Sequence, residues 1–208
     1  MSRFIPLSAA VASLAIVFAC TQQTSDAQQD APTPPADDSA DMQDDMLPSD
    51  ADTGGQRSLP SMMRATGDLM GNEGNTIGNV NMIEGPNGIV MEVSINESGL
   101  TPGWHAIHIH QTGDCSDTGE YTDSGGHVGK IEGGHGLLNP EGPEPGDLPN
   151  LYAFENGSVK YETFTDLVSL SDVMDSDGGA IIIHEGRDDH MSQPIGGAGG
   201  RVACAVVE

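Results

Sequence analysis

From residue 61 to the end of the chain, no stretch repeats its apolar residues every three to four positions, so no long amphipathic helix is available to build a core. Short runs rich in Val, Ile and Thr alternate instead with breaks of Gly, Pro, Asn and Asp, the pattern of a chain made of strands and turns. Strands are predicted near 64–69, 76–84, 88–96, 103–110, 150–154, 158–164, 180–184 and 201–207, with GPNG at 85–88 as a hairpin turn. Eight strands predict an all-β sandwich or barrel. Two connections stand out by length, 111–149 and 185–200, both rich in Gly and charge and poor in apolar residues. Irregular connections this long inside a compact domain are usually functional. Five of the seven histidines lie in them or immediately beside them.

The rest of the chain is appended to that domain. Residues 1–20 place Arg3 ahead of an apolar run that ends in small residues and Cys20, the layout of a secretory signal rather than of a spanning helix. The ending Val17, Phe18, Ala19, Cys20 resembles a bacterial lipobox, in which the cysteine is acylated; the alternative is an ordinary signal cleaved further on. The expectation is an exported protein of the periplasm or cell envelope, held to a membrane through lipidated Cys20. Residues 21–60 set nine aspartates against the single cation Arg57 and contain few large apolar side chains, so they read as a disordered acidic tether. In the domain, 61–208, 23 acidic side chains face Arg64, Lys130, Lys160, Arg187 and Arg201, a formal charge of −18. That balance argues against nucleic acid as a partner, and it would repel an anionic substrate unless a cation sits at the site. With Cys20 set aside, Cys115 and Cys204 remain as an even pair in an oxidising compartment, which predicts a disulfide; a pair of metal thiolates is the competing reading.

The segment GWHAIHIH at 103–110 carries the chemistry. On a strand, a period of two puts His108 and His110 on one face and His105 on the other. Two neighbouring imidazoles are half of a metal site, whereas His105 reads as a buried structural histidine bonded to a backbone carbonyl. His184 closes the apolar run that starts at Ala180, and His127 and His135 lie in the first long loop. Four imidazoles suit copper, although zinc, iron and nickel accept the same donors. Glu144 and Asp147 add oxygen donors that, with His127 and His135, can complete a tetrahedral zinc site sharing one histidine with the first.

These residues fall in motifs similar to those of a known family. GWHAIHIHQTGDC at 103–115, GGH at 125–127, HGLLNPEGP at 135–143, GDLPNL at 146–151, HEGRDD at 184–189 and GGAGGRVAC at 196–204 resemble the bacterial copper–zinc superoxide dismutases, over about residues 65–207. The resemblance implies a Greek-key β-barrel of eight strands. It implies copper held by His108, His110, His127 and His184, with His127 bridging to zinc held also by His135 and Asp147. Asp188 matches an aspartate that links a zinc histidine to a copper histidine, Arg201 matches an arginine that guides superoxide, and Cys115 and Cys204 match the family disulfide. The implied activity disproportionates superoxide to O2 and hydrogen peroxide, in a monomer or a homodimer. Lys130 and Arg187, in the long loops, are either helpers in guiding the anion or solvated surface charges. A periplasmic protein that stores copper or zinc without turnover is the alternative, and Arg201 argues against it. The chain departs from the family at GPEPGDLPN, where Glu144 stands in place of a third zinc histidine. Glu144 is expected to bind zinc itself, or to face solvent with a water in its place, or to leave a weakened, partly empty zinc site. His190 matches no metal-binding position and is expected at the surface or in packing.

Overall fold

A computed structural model describes residues 62–208. The signal segment with Cys20 and the acidic tether lie outside the described residues. The elements are β1 (Met63–Gly71), β2 (Thr76–Gly85), β3 (Gly88–Ile95), β4 (Gly103–His105), β5 (Ile107–His110), β6 (Leu151–Ala153), β7 (Val159–Thr165), the single helical turn α1 (Leu170–Val173), β8 (Gly179–His184) and β9 (Arg201–Val207). Pairing is antiparallel throughout. One curled sheet has the order β5-β8-β9-β1-β2-β3-β7, and β4 and β6 make a second, two-stranded sheet.

The predicted hairpin is present, with Gly85 paired to Gly88 across Pro86 and Asn87. The single strand expected over 103–110 is two strands, so the described residues hold nine strands rather than eight. Ala106 causes the break: its N–H donates to Gly186 O at 2.7 Å and its carbonyl accepts from His184 N–H at 2.9 Å. β4 is thereby free to pair with β6 while β5 pairs with β8. α1 also falls where no element was expected. Ser169 and Asp172 form a reciprocal capping box that satisfies its first N–H groups.

Alternation along the strands sorts the side chains. Ile89, Met91, Val93 and Ile95 of β3 point into the core, where they meet Leu69, Val80 and Met82. In β5 and β8 both faces are covered. Ile107, Ile109, Ile181 and Ile183 enter the main core, while Ala180 and Ile182 join Tyr121 and Cys204 in a small cluster on the opposite face. Burying each such isoleucine contributes about 1.5–3 kcal/mol, which makes this pair of strands a firm base for whatever their other face carries.

The first long loop closes over that face along the free edge of β5. Ile109 N–H donates to Gly146 O and Ile109 O accepts from Val128 N–H, both at 2.9 Å. Gly146 is required for the approach, because a Cβ there would lie 2.3 Å from Ile109 O. The same loop is tied to β9 by the Cys115–Cys204 disulfide, with Cα atoms 5.9 Å apart across 89 positions. Both cysteines are therefore consumed in the bridge and neither is a thiolate ligand. Closing a loop of that length stabilises by about 4–5 kcal/mol in the chain-entropy account. Cys204→Ser should therefore lower the thermal midpoint of the metal-free protein by about 10 °C or more, read by calorimetry.

Candidate metal centre

The even-numbered residues of β5 and β8 put His108, His110, Ile182 and His184 on one face, beneath the two long loops. His127 reaches the same place from the first loop, where its backbone bridges to His110. All four histidines are buried. Their ring centroids are close: 4.3 Å for His108 and His127, 5.0 Å for His108 and His184, and 5.2 Å for His110 and His127.

In three of the four rings one nitrogen is occupied and the other has no partner. His110 Nδ1–H donates to Gly125 O at 2.9 Å, and His184 Nδ1–H to Gly199 O at 3.2 Å. His108 Nε2–H donates to Asp188 Oδ2 at 2.9 Å. These bonds fix the tautomers and leave His110 Nε2, His184 Nε2 and His108 Nδ1 as bare lone pairs, joined by His127 Nε2, all four buried and without a hydrogen bond. The donors of His108, His110 and His184 lie within 4.8 Å of one another, with the His127 ring adjoining, and orphaned lone pairs so placed fit a copper ion and would be costly without one.

A second donor set adjoins through the other nitrogen of His127. His127 Nδ1 lies 2.8 Å from Glu144 Oε2 and 3.2 Å from Asp147 Oδ1, and His135 Nδ1 lies 2.8 Å from the same Asp147 oxygen. Although these atoms are near, His127 Nδ1 makes no hydrogen bond of acceptable angle. His135 Nδ1 is hydrogen-bonded to Asp147, and one donor atom each of His108, His127, His135 and Asp147 lies within 4.8 Å of the others, close enough to share an ion. Glu144 is only 3 % exposed, so it does not face solvent. Its Oε1 accepts from Ile131 N–H at 2.9 Å, and Asp147 Oδ2 accepts from Gly136 N–H and Glu144 N–H at 2.7 and 2.9 Å. His127, His135 and Asp147 fit zinc, and Glu144 adjoins them through its contact with His127.

Asp188 joins the two sets. One oxygen meets His108 Nε2, and the other lies 3.2 Å from His135 Nε2 and accepts from His190 N–H at 2.6 Å. Sequence reading missed what holds it. Asn150 Oδ1 accepts from Asp188 N–H, and Asn150 Nδ2 donates to both Asp188 O and His190 Nε2, each at 2.9 Å. His190 is thus more than a surface residue, since it helps to hold the aspartate. His105 is structural as expected: its ring nitrogens lie 2.7 Å from His184 O and 2.8 Å from Thr101 O, which fixes the strand end that carries His184.

Arg201 is anchored to the first loop. Its guanidinium donates to Tyr121 O, to Ser124 Oγ at 2.9 Å and to Gly125 O at 2.7 Å, the carbonyl that also holds His110. Arg187, by contrast, stacks over the Trp104 ring at 5.3 Å. Lys130 is exposed, with its side chain beside Gly126.

Electrostatics differ between the two sets in the metal-free protein. Burial lowers His108 to about 4 and His184 to about 3, with neighbouring rings adding to the effect, and it puts His110 well below its ordinary value. At His135, burial is outweighed by the bonds to Asp147 and Asp188, and its pKa rises to about 10. His108, His110 and His184 are therefore neutral at pH 7 and offer free lone pairs. Between pH 6.5 and about 4 the unfolded chain binds more protons than the folded one, so stability falls as pH falls through that window. The metal-free protein should lose about 5–10 °C in midpoint from pH 7 to pH 4.5; a midpoint that does not fall would contradict these shifts.

The sequence profile of the copper/zinc superoxide dismutase (SODC) family matches residues 76–207. The chain is 42 % identical over 151 residues to the Cu-Zn superoxide dismutase of Caulobacter vibrioides, covering 69 % of this chain and 85 % of that protein. Two solved structures share the fold. A SOD-like protein from Bacillus subtilis superimposes with a TM-score of 0.60 at 32 % identity, covering 68 % of this chain and 96 % of the other. The Cu/Zn superoxide dismutase from Brucella abortus does so with a TM-score of 0.58 at 29 % identity, covering 70 % and 100 %.

Proposed function

Because this chain belongs to the copper/zinc superoxide dismutase family, we propose that it converts two superoxide anions and two protons into O2 and hydrogen peroxide, at copper held by His108, His110, His127 and His184. The observation that carries the ligand assignment is the set of four buried ring nitrogens without partners. Bound copper supplies the one-electron couple that oxidises one superoxide and reduces the next. The protein supplies everything else. Asp188, Gly125 O and Gly199 O hold the rings of His108, His110 and His184 in the tautomers that leave a lone pair free. Arg201, pinned beside His110 through Gly125 O, offers a fixed positive charge to a small anion despite the acidic exterior. His127, with Nδ1 directed at Glu144 and Asp147, would offer Nε2 to copper and, where that contact is given up, could hold at the same nitrogen a proton for the product.

The zinc set of this reading is His127, His135, Asp147 and Glu144. Metal analysis of protein matured with both ions tests it. Zinc content should fall in Glu144→Ala; a copper-only product that this change leaves unaltered contradicts ligation by Glu144.

The reading also includes export and a lipid anchor on Cys20, supported by Arg3 and the apolar run that ends at that cysteine. Mass spectrometry of the membrane fraction should find an acylated Cys20 at the mature N-terminus, and a soluble form cleaved beyond it contradicts this. A homodimer is the proposed assembly, supported by the exposed rings of Trp104 and Tyr152 on the two-stranded sheet and of Phe154 just past its end, 46–53 % exposed. Trp104→Glu should then lower the sedimentation coefficient, and an unchanged monomeric value for both proteins rejects the dimer.

A further inference from the structure

A surface pocket of about 760 Å³ lies between residues 130–133 and the Gln193–Pro194 segment, and Glu144 forms part of its lining. We infer that this pocket is the route by which the zinc ion enters and leaves, and that Glu144 is the ligand it meets first. The inference rests on the zinc reading above and adds a path to it. Glu144 spans the distance from wall to site. Its Oε1 accepts from Ile131 N–H on the pocket wall, and its Oε2 lies 2.8 Å from His127 Nδ1. Its partners lie behind it: of the four, Glu144 alone lines the pocket. The opposite wall is coupled to the site as well, because Gln193 Nε2 donates to His135 O at 2.9 Å and Gln193 Oε1 accepts from His135 N–H at 3.3 Å.

The chemistry explains what a carboxylate does here that the usual imidazole would not. A hydrated dication is drawn to a negative oxygen before any water is lost, whereas a neutral imidazole offers no such attraction. Glu132, exposed in the lining, offsets the exposed cation Lys130 beside it, so that Glu144 sets the sign of the charge that a cation meets. A Cβ on Gly133, also in the lining, would meet no atom within 4 Å, so the space beside it is open. A route acts on rates alone. Narrowing it slows entry and exit together and leaves the equilibrium content unchanged, because Glu132 is not among the ligands.

The test uses the full chain loaded with both metals. Zinc release is followed with excess chromogenic chelator, and uptake by the zinc-free, copper-loaded form is followed through the visible bands of Co(II). Glu132→Trp should slow both rates by about tenfold, as should Glu132→Lys through the reversed potential at the mouth, with zinc content at equilibrium unchanged. Glu162→Lys, an exposed charge reversal on β7 at the far edge of the sheet, should alter neither rate. Rates within about twofold of the unaltered protein in both Glu132 variants would overturn the route. Zinc that binds equally well in Asp147→Ala would overturn the metal reading itself, and the route with it.

Discussion

Asp188→Asn is expected to weaken both metal sites at once, by about 10–100-fold in affinity at each, while leaving the fold intact. Asp188 is 1 % exposed and accepts from His108 through one oxygen and from His135 through the other. Burial by itself would raise its pKa. The bonds from His108 and His135 overcome that and hold the carboxyl well below the usual carboxylate range. Asparagine keeps the volume but offers one acceptor and one donor, so only one of the two Nε2–H groups retains a partner. The other ring loses the bond that fixes its tautomer and orientation. Even the backbone is fitted to this carboxylate, since a Cβ on Gly196 would lie 1.6 Å from Asp188 Oδ1 and Gly196 has φ of +61°. Competition titrations with a chelator read the two affinities separately. Unchanged affinity at both sites would show that Asp188 does not orient the ligands.

The second large effect belongs to Arg201. Arg201→Ala should lower superoxide turnover by about 10–1000-fold at unchanged copper and zinc content. Its charge is the cation fixed beside His110 in a domain of formal charge −18, so removing it leaves a field that repels the anion. Arg201→Lys should recover only part of the loss. A lysine restores the charge but cannot reproduce the planar fork that reaches Ser124 Oγ and Gly125 O together. Turnover that is insensitive to both substitutions would remove Arg201 from the mechanism.

The sequence disclosed much of this centre because strand periodicity is a local property. In HAIHIH the even-numbered histidines and odd-numbered isoleucines part to opposite faces, and Ala180–His184 repeats the pattern with Ile182 and His184 on the histidine side. Contacts between distant segments were not legible in that way. Asn150 bonds to Asp188 across 38 positions and Arg201 to Gly125 across 76, and neither contact has a periodic signature. The break at Ala106 was hidden for the same reason, since its partners are Gly186 and His184 in the second half of the chain. The capping box at Ser169 and Asp172 was written in the sequence, but a helix of four residues carries too little apolar period to be noticed. Glu144 could be read only as a departure from the family pattern. Its burial against His127 depends on the loop that carries Ile131 folding back over it.

Superoxide decay followed by pulse radiolysis, with the full chain loaded with copper and zinc, is the most direct test. Decay should be catalytic and proportional to bound copper, absent from the metal-free protein and lost in His110→Ala. Tight copper binding by the same four histidines with no decay above background would contradict it and leave a metal-storage protein in the fold of an enzyme.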